Sequence, residues 1–124
     1  MIRAYLLFNA VMYVVFAIVC AIWPEKTANF VGFAFKSGSG RSEYVAVYGG
    51  LEMAMGLFFL VAGVSEKWQH AGLLFAVLLY ACLVLFRAPT LVLVSGIERQ
   101  TFILAAAELV LGVIAAILWF RRGG

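Results

Sequence analysis

The sequence predicts an all-α polytopic membrane protein, a bundle of four transmembrane helices built as two similar helical hairpins. Three observations carry this expectation: the surplus of apolar residues, four apolar runs of near-bilayer length, and a short motif that recurs in the second and fourth runs. Of 124 residues, 66% are hydrophobic and 12% charged, against about 25% charged in soluble globular domains. Hydrocarbon is therefore the main solvent of this chain. At this length one transmembrane domain, residues 1–124, is expected, with no separate soluble domain beside the spans.

Crossing about 30 Å of hydrocarbon takes roughly 20 helical residues. Runs of that order cover residues 4–23, 44–64, 71–86 and 101–120. The first follows Arg3 and is longer than the roughly 7 to 15 residues of a signal-peptide core, with no small-x-small cleavage site, so it is expected to be retained. The third is the shortest, and Pro89, just beyond Arg87, is expected to stop it. A closed β-barrel is the other way to satisfy backbone polar groups in lipid, but its strands alternate polar and apolar residues, whereas these runs are apolar on nearly every side.

The connections differ in kind. Residues 65–70 read as a tight hairpin turn, and residues 24–43 as a long segment. The first part of that segment carries Phe30, Phe33 and Phe35 between Lys26 and Lys36, which suits a stretch lying at the membrane interface. Its Gly- and Ser-rich part, residues 37–42, reads as a mobile linker. A lid over the bundle and a slack connector are both open readings.

The net charge is +3, but the nine Lys and Arg are scattered, with Arg121 and Arg122 the only adjacent pair. That pattern lacks the clustered footprint of a nucleic-acid binder. Single cations instead flank spans and snorkel toward headgroups. Trp23, Trp68 and Trp119 fall near span ends, where aromatic belts form. Arg3, Lys67, Arg121 and Arg122 lie on the side of both termini, and Lys26, Lys36, Arg41, Arg87 and Arg99 on the other. If Arg41 and Arg87 are drawn inside the bundle, the balance favours cytoplasmic termini.

An offset of 56 residues superposes Glu52 on Glu108 and Gly56 on Gly112, with Gly49 and Gly50 over Ala105 and Ala106. A two-helix unit repeated in parallel produces such a match. Gly49, Glu52, Gly56 and Gly63 share one helix face, as do Ala105, Glu108, Gly112 and Trp119. Small-residue stripes let membrane helices approach closely, so Gly49, Gly56, Gly63 and Gly112 are expected at helix contacts and the glutamates against protein. On the first and third spans, Asn9, Tyr13 and Cys20, then Ala76, Tyr80 and Arg87, also fall on single faces.

An ionisable side chain in mid-span costs roughly 2.5–3.5 kcal/mol on insertion scales, so Glu52 and Glu108 need compensation. The expected source is one polar centre holding Glu52, Glu108, Arg87 and Arg41, joined by Tyr48 and nearby hydroxyls. A guanidinium fits a carboxylate with two parallel hydrogen bonds. One cation beside two acids predicts one ionised and one protonated glutamate. Such a centre is either a proton, cation or ligand site, or a clamp that sets helix register; both readings stand on the sequence.

Other candidates for chemistry are sparse. Cys20 and Cys82 sit inside apolar runs and read as packing thiols, His70 as a surface residue in a turn, and Asn9 as an interhelical hydrogen-bonding group or ligand contact. There is no phosphate loop, no metal-spaced His or Cys set, and no nucleophile with a base beside it. No catalytic residue, metal or cofactor is expected.

Residues 44–63, YVAVYGGLEMAMGLFFLVAG, with FRAPTLVLVSG at 86–96 and AAELVLGV at 106–113, resemble a known group. They are similar to the uncharacterised four-span bacterial membrane proteins placed under a domain of unknown function in the broad DoxX-like grouping. The resemblance covers most of the chain and implies the four-helix fold and a bacterial cytoplasmic membrane. It implies no activity, substrate or catalytic residue. The leading expectation is a binding or accessory module that holds a lipid, quinone-like or other hydrophobic ligand, or supports a homo-oligomer or larger membrane complex. A small proton-coupled transporter using the glutamates is the alternative, and a lipid-modifying enzyme the third reading.

Overall fold

The computed structural model describes residues 1–123, and every regular element among them is helical. In order these are α1 (Ile2–Ile22), α2 (Pro24–Phe30), α3 (Gly38–Tyr44), a π-helical segment (Val45–Leu51), α4 (Glu52–Val64), α5 (Glu66–Leu93) and α6 (Arg99–Arg121). The π-helical segment joins α3 and α4 into one helix, Gly38–Val64, and with α1, α5 and α6 this makes four helices long and apolar enough to cross a membrane. The chain is accordingly a multi-pass membrane protein. Large apolar side chains such as Leu85, Phe86, Val92 and Leu93 are exposed along the helices, a surface that lipid solvates as well as protein does. The chain divides into two compact units, Met1–Gln69 and His70 onward.

Three boundaries differ from those the sequence predicts. Residues 37–42, read as a mobile linker, are the helical start of the second span, which begins at Gly38. The Ser37 side chain accepts a hydrogen bond from Gly40 N–H at 3.4 Å and caps the helix. A cap of this kind is worth about 1 kcal/mol, comparable to the helix penalty of one glycine. The third span runs to Leu93 with Pro89 inside it. The proline deprives one carbonyl of its donor, a defect that membrane helices absorb. The turn at residues 65–70 contracts to Ser65, the one non-helical residue between α4 and α5. Its extended backbone, φ −118° and ψ 116°, reverses the chain, and its carbonyl accepts from Trp68 N–H at 3.0 Å.

In the first unit α1 and α4 are antiparallel, and the small-residue stripe of the second span lies on α1. A Cβ added at Gly63 would meet Leu7, one at Gly56 would meet Val14 and Ala10, and one at Gly49 would meet Ala21 and Ala17. Tyr13 and Phe59 stack with ring centroids 5.8 Å apart. Arg3 closes the far end: its Nε donates to the Gly63 carbonyl at 3.0 Å and its Nη2 to the Val64 carbonyl at 3.4 Å. These are carbonyls that a helix C-terminus leaves without partners, and a cation also suits the negative end of the helix dipole. Asn9 is fully buried and donates from Nδ2 to the Tyr5 carbonyl of its own helix at 2.8 Å.

The segment after α1 is packed. Trp23 ends α1, and Pro24, at the first position of α2, starts the next helix with a φ already suited to it. Cys20, Ala28 and Tyr44 form a buried cluster against which Phe35 and Tyr48 pack. Tyr44 and Tyr48 stack at 4.5 Å, and Phe33 meets both edge-on at about 6 Å. Tyr44 OH donates to Thr27 Oγ1 at 3.0 Å, and Thr27 Oγ1 donates to the Trp23 carbonyl at 2.9 Å. Tyr44→Phe keeps the ring packing and breaks this chain. Its expected cost is about 1 kcal/mol, read as a lower thermal midpoint in mild detergent with unchanged helix content.

Candidate functional site

In the second unit α5 and α6 form an antiparallel hairpin. A Cβ on Gly112 would lie 3.0 Å from the Tyr80 Cβ, so the two backbones approach closely there. At one end the His70 and Trp119 rings pack at 4.5 Å; His70, read from sequence as a turn residue, lies in the first turns of α5 and is exposed. Arg87 lies seven residues beyond Tyr80 on α5, and Glu108 four residues before Gly112 on α6. Because the helices run oppositely, both side chains are displaced the same way from the close approach.

They meet in a bidentate ion pair: Arg87 Nε donates to Glu108 Oε2 at 2.6 Å and Nη2 to Oε1 at 2.7 Å. The side chains are 29% and 16% exposed. Fork-to-carboxylate geometry is the strongest form of such a pair, and low dielectric raises both its attraction and the cost of breaking it. Thr90 Oγ1 donates to the Arg87 carbonyl at 2.7 Å and holds the helix turn that carries the guanidinium.

The pair borders a groove of about 190 Å³ whose walls include Val84, Ala88 and Leu91 of α5 and Ala105 and Leu109 of α6. Alanines at 88, 105 and 106 leave this space where larger residues would fill it. On its other side Arg87 borders a wider depression of about 430 Å³ with Leu79, Cys82, Phe86 and Thr90. The site thus combines apolar walls with a neutralised but strongly hydrogen-bonding pair.

The family described as a domain of unknown function, DUF4345, matches residues 1–120. The chain belongs to this family. Comparison with curated proteins and with solved structures gives no match. The DUF4345 match spans both units.

The remaining residues singled out in the DUF4345 sequence lie in the first unit. Glu52 opens α4 and is partly buried; its Oε2 is buried with no hydrogen-bond partner among the described residues. Tyr48 belongs to the aromatic cluster. Arg41, expected as an interior cation, is 55% exposed and pairs with exposed Glu25 at 3.4 Å. Gly49, Gly56 and Gly63 face α1, and Gly112 faces Tyr80.

The sequence reading gives the offset between the second and fourth spans but not the matching offset between the first and third. The α4-to-α6 offset is 56 residues, and an offset of 67 carries α1 onto α5. Arg3 then corresponds to His70, Tyr13 to Tyr80 and Cys20 to Arg87. The Arg3–Gly63 contact is repeated as His70–Trp119, and the approach of Gly56 to α1 beside Tyr13 is repeated as Gly112 on Tyr80. The signal was the tyrosine, seven residues before Cys20 and seven before Arg87, but matching it required knowing which residues of the partner helix it faces.

Proposed function

We propose that this DUF4345 protein is a membrane binding module that holds a lipid or other hydrophobic molecule against the second hairpin. The observation that carries the reading is the Arg87–Glu108 pair at the wall of an alanine-lined apolar groove. Ligand pockets are apolar spaces with a few well-placed polar groups, and they form between helices. The groove exceeds the engineered cavity of about 150 Å³ that takes up benzene, so it suits a ring or a short length of acyl or prenyl chain, with a hydroxyl or carbonyl at the pair. A net-neutral pair favours an uncharged polar end, because an anion would place a second negative charge beside Glu108. The same chemistry admits a quinone-like ligand. Membrane lipids, a homo-oligomer or a larger membrane complex are the partners this reading supplies. A bacterial cytoplasmic membrane, cytoplasmic termini and kinship to DoxX-like proteins complete it.

The test is native mass spectrometry of protein released from lipid nanodiscs, with extraction of whatever remains bound. Wild type is expected to retain one hydrophobic molecule. Ala105→Leu, which fills the groove, should lower retention at least fivefold without lowering the thermal midpoint. An empty wild-type protein, or equal retention by the filled variant, overturns the reading.

Proton-coupled transport is the second reading, favoured by the buried Glu52 oxygen that has no hydrogen-bond partner among the described residues. A carboxyl that alternates between proton and substrate needs a protein environment that does not permanently occupy it. Substrate-driven proton release that disappears in Glu52→Gln while the fold survives supports transport; its absence in wild type counts against it.

A further inference from the structure

Hairpin register gives Glu52 a more specific meaning. The two units place their helices alike, so Glu52 in the first stands where Glu108 stands in the second, and Cys20 stands where Arg87 stands. In the second unit the arginine satisfies both oxygens of its carboxylate, at 2.6 and 2.7 Å. In the first, the corresponding residue is a small thiol with no charge, and Oε2 of the carboxyl is buried without a hydrogen-bond partner among the described residues. The position that an internal guanidinium fills in one hairpin has no internal cation at the matching residue of the other.

Two neighbours add to this asymmetry. Tyr48 lies one turn before Glu52 on the same helix, and its ring belongs to the stacked cluster with Tyr44 and Phe33. Aromatic rings beside a carboxylate form a recurring environment for organic cations, since the ring face adds a quadrupole attraction to the ionic one. Cys20 itself is fully buried, its Sγ 3.8 Å from Tyr44 Oη, so the thiol is held by packing. No group of three or more His, Cys, Asp or Glu that could hold a metal ion lies among the described residues, whereas an N–H-bearing organic cation brings the two-point geometry that Arg87 shows next to Glu108.

We propose that Glu52, one helical turn from Tyr48, binds a small organic cation bearing a primary ammonium or guanidinium group, at the position matching the one where the second hairpin supplies Arg87. This assignment is independent of the groove ligand. It names the cation class for the transport reading without requiring transport, because it is tested as binding at equilibrium.

The probe is phenethylammonium, with phenethyl alcohol as its uncharged counterpart. Each is titrated calorimetrically into the full chain in phosphatidylcholine nanodiscs, with empty nanodiscs subtracting partition into lipid. Saturable binding of one phenethylammonium per chain is expected, with phenethyl alcohol at least tenfold weaker. Glu52→Gln should weaken phenethylammonium at least tenfold, and Tyr48→Leu several-fold. Cys20→Arg, which supplies an internal cation, should abolish binding, while Cys20→Ala leaves binding intact. Unchanged affinity in a folded Glu52→Gln protein, equal affinity for the alcohol, or undiminished binding in folded Cys20→Arg overturns the proposal. Should Cys20→Arg fail to fold, the Glu52→Gln comparison decides alone. Loss of cation binding with groove retention intact, or the reverse, separates this site from the hydrophobic one.

Discussion

Gly56→Ala is expected to destabilise the first hairpin more than any other single methyl added to this protein. The new Cβ would sit 2.7 Å from Val14 Cγ2 and 2.9 Å from Val14 N, with the Ala10 carbonyl oxygen at 3.3 Å. The valine methyl can rotate away, but the backbone nitrogen cannot, so α1 and α4 must separate. Forced overpacking of this kind costs about 1–3 kcal/mol, and the loss is serious in lipid because close van der Waals contact is what joins the helices. Gly56→Leu should dissociate the pair. Gly50, whose added Cβ meets nothing within 4 Å, is the control: Gly50→Ala should leave stability unchanged or slightly raised. Gly63→Ala should cost less than Gly56→Ala, because its nearest contact at 2.7 Å is the Leu7 Cδ2 methyl at the end of a flexible side chain. Thermal midpoints in mild detergent check the order, and a Gly56→Ala protein as stable as wild type would refute the close-approach account.

The second large effect is at the ion pair. Arg87→Met strands Glu108 in a low-dielectric setting, and breaking a buried pair by removing one partner costs about 3–5 kcal/mol. Discounted for the 29% and 16% exposure of the two side chains, the lower end of that range is expected. The double variant Arg87→Met with Glu108→Met removes both charges at similar volume and should recover most of the loss. Stability of the two single variants and the double forms a mutant cycle; a double variant as unstable as the worse single one would mean that the arginine acts through other contacts. The same cycle bears on function. A clamp loses stability in the single variants and regains it in the double, with ligand retention following the fold, whereas a binding group leaves the restored double variant stable but empty.

Much of this was legible beforehand, for identifiable reasons. Apolar content is a local sum, so four spans could be counted from windows of residues, and glycine spacing named the stripe on the second span. A guanidinium that cannot shed its charge in lipid demands a carboxylate, so Arg87 pointed to a glutamate. The ends of the helices were less legible. Pro89 and residues 37–42 carry local signals to stop or loosen a helix, and those signals are weaker than continuation into an apolar span. The aromatic packing of Phe33, Phe35, Tyr44 and Tyr48 was hidden because the residues come from two segments that meet only when the chain folds back.

By itself the sequence determined that the chain is helical, that four of its helices are long and apolar enough to cross a membrane, and that a stripe of glycines runs along the second of them. Those properties depend on composition and period, which are one-dimensional. Only the tertiary structure decided that Glu108 takes Arg87 in a bidentate pair, that Arg41 is exposed and pairs with Glu25, and that Glu52 keeps an oxygen without a hydrogen-bond partner among the described residues. Pairing depends on the register of one helix against another, and that register is set by where Gly56 and Gly112 let backbones come together.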